Sequence, residues 1–243
     1  ANFNPEVGFV RRGNHSQYAG DFSWTPLLES SDTIRNLDFA TNVQYFKGAN
    51  GKVETRTQDL LLGFQFFNNA AASFTMTQTF DRLLDSIRIQ TLPVPAGDYQ
   101  YFAYSAQFNT DRSEKIGGTG RVDWGEFWDG RRRSISGSLL FKPTYQFNAT
   151  LDYSRNLVKL QSGSTTTDLV GARLLLAFSP RSFVNAFFQF NSQTHEFSTN
   201  IRFNITYRPL SDIYLVYNDR RSSLGNELLE RAFIVKVTNL FNF

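Results

Sequence analysis

The chain of 243 residues has no cysteine, two histidines and one methionine, and only 19% of it is charged. Without cysteine there is no disulfide framework, no thiolate metal site and no thiol nucleophile. Histidine is almost as scarce: His15 and His195 fall in expected turns far apart in the chain, so neither a metal site nor a cofactor is expected. No run of 18 apolar residues occurs and the mean hydropathy is −0.35, which excludes a transmembrane helix. That exclusion leaves a membrane barrel open, because its strands turn only every second residue to lipid. A basic stripe is missing too. The net charge of +3 comes from scattered Lys and Arg, apart from Arg131 to Arg133, so nucleic acid is not an expected partner. From Ala1 onward there is no charged and apolar leader, which reads as a processed mature protein or a fragment.

What the chain does have is rings: aromatics reach 16%, with 25 Phe. They recur with a period of two. In the last stretch, Arg231 to Phe243, residues Phe233, Val235, Val237, Phe241 and Phe243 share one side of an expected strand, and Asn239 alone breaks the series. A terminal strand of this kind, finishing in Phe, resembles the signal read by the outer-membrane barrel assembly machinery. Phe197 to Tyr207 is the purest stretch, with Phe197, Thr199, Ile201, Phe203, Ile205 and Tyr207 on one side and no charge among them. An Arg there would cost about 2–4 kcal/mol at a bilayer midplane.

The same alternation marks Tyr18 to Trp24, Thr33 to Phe46, Thr57 to Phe66, Ala72 to Phe80, Tyr99 to Asn109, Gly117 to Trp128, Arg133 to Phe141, Tyr145 to Tyr153, Val170 to Phe178 and Val184 to Phe190. With the last two segments, and the stretch between Ser211 and Asn218, this makes 13 strands, and 14 if Glu6 to Arg12 pairs, the even number being preferred for a closed barrel. Turns are expected at Gly48 to Gly51, Lys142-Pro143, Ser179 to Arg181 and Arg208 to Ser211, with longer connections at Leu157 to Asp168 and Asn218 to Arg231. Short turns on one rim and longer loops on the other suit an outer-membrane barrel. The stretch Asp81 to Gly97, with Pro93 and Pro95, is best read as a plain exposed loop, an inward-folded constriction being the alternative.

The expected fold is therefore all-β, an antiparallel up-and-down transmembrane β-barrel of about 14 strands in a single domain over 1–243, with 1–14 as a possible first strand or leading segment. The polar side carries Asp38, Asp59, Asp152, Arg173, Arg202 and Arg208, which are expected to line a hydrated lumen or to pair across it. No catalytic residue is assigned. His195 has Ser192, Glu196 and Ser198 near it in sequence, the ingredients of a hydrolase, but local composition explains them more simply. Gly117-Gly118-Thr119-Gly120 lacks the Lys-Ser or Lys-Thr of a phosphate loop and reads as a turn or strand entry. Arg131 to Arg133 reads as a solvated hairpin tip, or as a group attracting anionic glycolipid.

Several segments together carry a family resemblance: N-P-E-V-G-F-V-R-R at Asn4 to Arg12, F-S-P-R at Phe178 to Arg181, Q-F-N-S-Q-T at Gln189 to Thr194, N-I-R-F-N at Asn200 to Asn204, Y-R-P-L-S-D-I-Y-L-V-Y-N at Tyr207 to Asn218 and A-F-I-V-K-V-T at Ala232 to Thr238. They resemble the C-terminal barrel region of a Gram-negative domain-of-unknown-function family, whose members usually carry an N-terminal module similar to the family-9 carbohydrate-binding fold. The resemblance implies that this chain is a whole barrel or the C-terminal part of a longer one. The expected location is the bacterial outer membrane, the expected role a pore or an anchor for a carbohydrate-binding module, and the expected partners are membrane lipids and saccharides or other small solutes. The alternative is a soluble glycan-binding β-sandwich or barrel, in which one side of every strand would be buried.

Overall fold

The computed structural model describes residues 16–48 and 50–240. The expected strand Glu6 to Arg12, His15, and Phe241 and Phe243 lie outside the described residues. In chain order the elements are β1 (Ser16–Trp24), β2 (Ile34–Lys47), β3 (Val53–Phe66), β4 (Ala71–Leu83), β5 (Ile87–Ile89), β6 (Leu92–Val94), β7 (Gly97–Asn109), β8 (Ile116–Phe127), β9 (Gly130–Thr144), β10 (Phe147–Leu160), β11 (Gly163–Ser179), β12 (Ser182–Asn191), β13 (Glu196–Arg208), β14 (Ser211–Ser222) and β15 (Leu228–Val237). No helix occurs among the described residues. Thirteen strands form one antiparallel up-and-down sheet in chain order, with the β5–β6 hairpin inserted between neighbours β4 and β7. Among the described residues β1 and β15 are its two edges.

Local chemistry explains most turns. Pro209 fixes the first position after β13 and Leu210 takes a left-handed backbone, φ +59°, at the second. Tyr145-Gln146, Pro180-Arg181 and Pro209-Leu210 are two-residue links after β9, β11 and β13. Lys142-Pro143, expected as a turn, belongs to β9 instead; proline is tolerated near a strand end, where no ladder donor is needed. The turns after β8 and β10 are equally short, at Trp128-Asp129 and Gln161-Ser162. The long connection expected over Leu157 to Asp168 is thus strand, closed by Gly163 at φ +145°. The expected contrast between a tight and a loose rim is correspondingly weak, since residues 25–33 also make a long link after β1.

The chain divides into two compact units: 16–108 with 122–133 and 157–165, and 109–121 with 134–156 and 166–240. In the first, the register sets Trp24 beside Phe39, Phe39 beside Leu62 and Leu62 beside Phe74, so one face is apolar across four strands. On the reverse, Asp21 pairs with Asn42, Asn42 with Asp59 and Asp59 with Thr77. In the second unit, Leu176, Val184, Phe203, Leu215 and Val235 form a continuous apolar row, and Arg173, Phe187, Asn200, Asn218 and Ala232 form a row on the other face.

The apolar face is the open one. Phe22, Trp24, Leu60, Leu139, Phe141, Leu151, Phe178, Phe233, Val235 and Val237 are all exposed, Phe233 by 68%. Buried hydrophobics among the described residues are Ala70, Leu92, Val94, Leu140, Val158, Leu160 and Ala186. Four of these, Leu92, Val94, Val158 and Leu160, form one cluster in the first unit.

Candidate functional site

The polar face of the first unit is built from cross-strand hydrogen bonds. Thr77 Oγ1 donates to Asp59 Oδ1 at 2.6 Å. Asp38 accepts from Asn36 Nδ2 at 3.1 Å and from Gln65 Nε2 at 3.3 Å. Gly63 lies opposite Asp38, and a Cβ there would come within 3.0 Å of the Asp38 Cβ, so the glycine makes room for the carboxylate. Two steps further along the same face from Asp59, Thr55 Oγ1 donates to Asp81 Oδ1 at 2.7 Å. Each carboxylate thereby accepts a hydrogen bond from a neutral side chain on the polar side.

The stretch read as an exposed loop is folded onto this polar side, which corrects that expectation. Residues 87–94 form the β5–β6 hairpin, in which Ile87 faces Val94 and Ile89 faces Leu92. Val94 is fully buried and Leu92 nearly so, packed with Val158 and Leu160 of β10 and bordered by Leu83, Ile87, Ile89, Tyr99, Phe127 and Trp128. Polar ties fix the hairpin: Ser162 Oγ donates to the Pro93 carbonyl at 2.9 Å, Thr165 Oγ1 to Gln90 Oε1 at 2.5 Å and Tyr99 OH to the Pro95 carbonyl at 2.9 Å. At its base Arg82 holds Asp98 through two charge-assisted bonds of 2.6 and 2.5 Å. Trp128 completes the wall. Its Nε1–H donates to Asp81 Oδ2 at 3.1 Å although its backbone stands at φ +48°, a conformation bulky residues avoid.

In the second unit the polar face holds a hollow of about 340 Å³. Asp152 and Arg173 both line it, with Thr119, Ser136, Ser138, Ser154 and Gln189 around them. Gly171 lies on the floor, where a Cβ would stand 3.7 Å from the Asp152 Cβ and 3.9 Å from the Phe187 ring. The Arg173 guanidinium lies 5.4 Å from the Phe187 ring centre, a cation–π contact. A carboxylate, a guanidinium, an amide and several hydroxyls thus converge on a space the size of a small polar solute, an arrangement suited to reversible hydrogen bonding.

Arg202 stands on the same face between Asn185 and Val216, and is exposed. Arg208 is paired with Ser211 across the turn and sits at the strand end, away from the middle of the face. Of the six expected lining residues, the hollow brings together Asp152 and Arg173, and Asp38 and Asp59 belong to the first unit. Phe187 was not among them: its neighbour Phe188 takes the apolar face, so Phe187 must turn to the polar one. Phe233, Val235 and Val237 lie on the apolar face of β15 beside Tyr217, Leu215 and Ile213.

The remaining candidates stay apart. Ser192 Oγ accepts the Asp168 N–H and Glu196 lies 3.9 Å from Arg220, so neither is engaged with the His195 ring. Gly117 to Gly120 runs inside β8, where a Cβ on Gly118 would come within 3.1 Å of the Ser138 carbonyl. Among the described residues no three His, Asp or Glu side chains are grouped as metal ligands. The chain matches no protein-family model and no curated protein.

Proposed function

We propose that the chain is a transmembrane β-barrel of the bacterial outer membrane, or the C-terminal part of one, whose polar face lines a pore narrowed by the β5–β6 hairpin. The observation that carries this is the open apolar face on strands of up to 17 residues. A side chain of Leu or Phe left in water forgoes about 1.5–3 kcal/mol. The ten named above are about half exposed, so together they forgo about 8–15 kcal/mol, as much as the ~5–15 kcal/mol net stability of a folded domain. Acyl chains remove that cost, and a tilted strand needs about 9–11 residues to cross them.

Rings at the strand ends support the same reading. Lys47 Nζ lies 5.9 and 5.6 Å from the Tyr18 and Tyr45 ring centres, with all three at one end of β1 and β2. Trp24 stacks on Phe39 near the other end, at 5.5 Å. Amphipathic rings and snorkelling lysines gather at membrane interfaces. The resemblance to the Gram-negative barrel family agrees with this location and adds a carbohydrate-binding module as a neighbour.

Reconstitution into planar bilayers tests the pore. Discrete conductance steps are expected, and replacing residues 84–96 by a short Gly-Ser linker should enlarge them several-fold. No current from either form would leave the chain a plugged anchor. A chain that stays monodisperse in buffer without detergent would instead support the soluble glycan-binding reading.

A further inference from the structure

On the apolar side of the first unit a cavity of about 330 Å³ opens beside the β8–β9 turn. Rings form one wall: Phe102, Tyr104 and Trp124, with Tyr104 stacked on Trp124 at 5.9 Å. Arg131 and Arg133, both exposed, and Glu126 form the other. The Arg triplet is split by strand alternation. Arg132 borders the cavity too, but its guanidinium lies 5.0 Å from the Phe127 ring centre, and Phe127 packs against the hairpin cluster on the polar side. Glu126 is occupied, its carboxylate accepting the Phe102 N–H at 3.2 Å. Two guanidiniums against one engaged carboxylate leave the cavity net positive, above a ring surface that continues along the apolar side through Phe74.

Resting on the membrane reading above, we infer that this cavity binds a phosphorylated lipid, its phosphate held by Arg131 and Arg133 and its first acyl segment lying on Tyr104 and Trp124. An arginine facing acyl chains is costly at the midplane and nearly free at the interface, so the pair belongs at headgroup depth. There a guanidinium fork matches phosphate oxygens two at a time. A free phosphate would use the arginines alone and gain nothing from the rings.

The test uses the whole chain in a nonionic detergent, titrated with phosphatidic acid, phosphatidylcholine or inorganic phosphate, with bound molecules counted by native mass spectrometry. One phosphatidic acid should be retained in preference to phosphatidylcholine, and millimolar inorganic phosphate should not displace it. R131A/R133A should weaken retention at least tenfold and R132A less than twofold, with unchanged β-sheet circular dichroism in both. Equal retention by R131A/R133A overturns the lipid site, and so does full displacement by inorganic phosphate, while the need for detergent would still stand. A chain soluble without detergent removes the membrane reading and this site with it.

Discussion

A handful of side chains reconcile a polar face with folded strands, and Trp128 and Asp81 are the clearest pair. The indole N–H bond to Asp81 holds a tryptophan in a left-handed backbone position that it would otherwise leave. A hydrogen bond to a charged group contributes about 1.5–3 kcal/mol, less when partly solvated. Trp128→Phe is therefore expected to lower the unfolding free energy in urea titrations of the vesicle-bound chain by about 1–2 kcal/mol. Side matters as much as identity. Phe203→Arg, on the apolar row, should cost about 2–4 kcal/mol in the same titration if the row meets the bilayer centre. Arg202→Leu, one residue earlier on the polar face, should change stability by less than about 1 kcal/mol. Equal effects of the two would contradict the assignment of faces.

The β5–β6 hairpin is where element-scale behaviour concentrates, because its packing on Val158 and Leu160 is the main buried apolar cluster of the first unit. Leu92→Ala removes a nearly buried side chain, at a cost of about 2–5 kcal/mol to that local packing. Limited proteolysis should then cut within residues 84–96 at least tenfold faster, with the rest of the sheet uncut. Unchanged cleavage would mean that the hairpin is held by its polar ties alone. This element was the least visible in the sequence. Strands of three residues carry no measurable period, and Pro93 and Pro95 look like loop residues until β10 is seen to receive Leu92 and Val94. Most of the thirteen sheet strands, by contrast, were legible as alternation, since a strand with one apolar face cannot slip by one residue without reversing it. Their ends were less so: Lys142-Pro143 suggested a turn three residues early, and Gln161-Ser162 carries no turn signal until Gly163 is recognised in its unusual backbone position. At the hollow, Asp152 and Arg173 stood out as charges on the polar parity, whereas Ser136, Ser138 and Ser154 are ordinary residues that only the register brings together.

At the scale of the molecule, the membrane reading proposed above inverts hydrophobicity relative to a water-soluble sheet protein: rings and aliphatics occupy the exposed face of β10 to β15, and carboxylates, amides and hydroxyls the opposite one. Charge follows the same division. If Arg173 and Asp152 border the path of a solute, Arg173→Glu should shift the permeability ratio measured from reversal potentials toward cations, and an unchanged ratio would place that hollow off the path. The inversion itself can be measured cleanly, because a chain without cysteine accepts single nitroxide labels one site at a time. Labels placed at each position from 197 to 207 in lipid vesicles should show collision rates that alternate, with oxygen reaching the odd positions and a water-soluble nickel chelate the even ones. Odd positions that are immobile and shielded from oxygen, or open to the nickel chelate, would contradict the account.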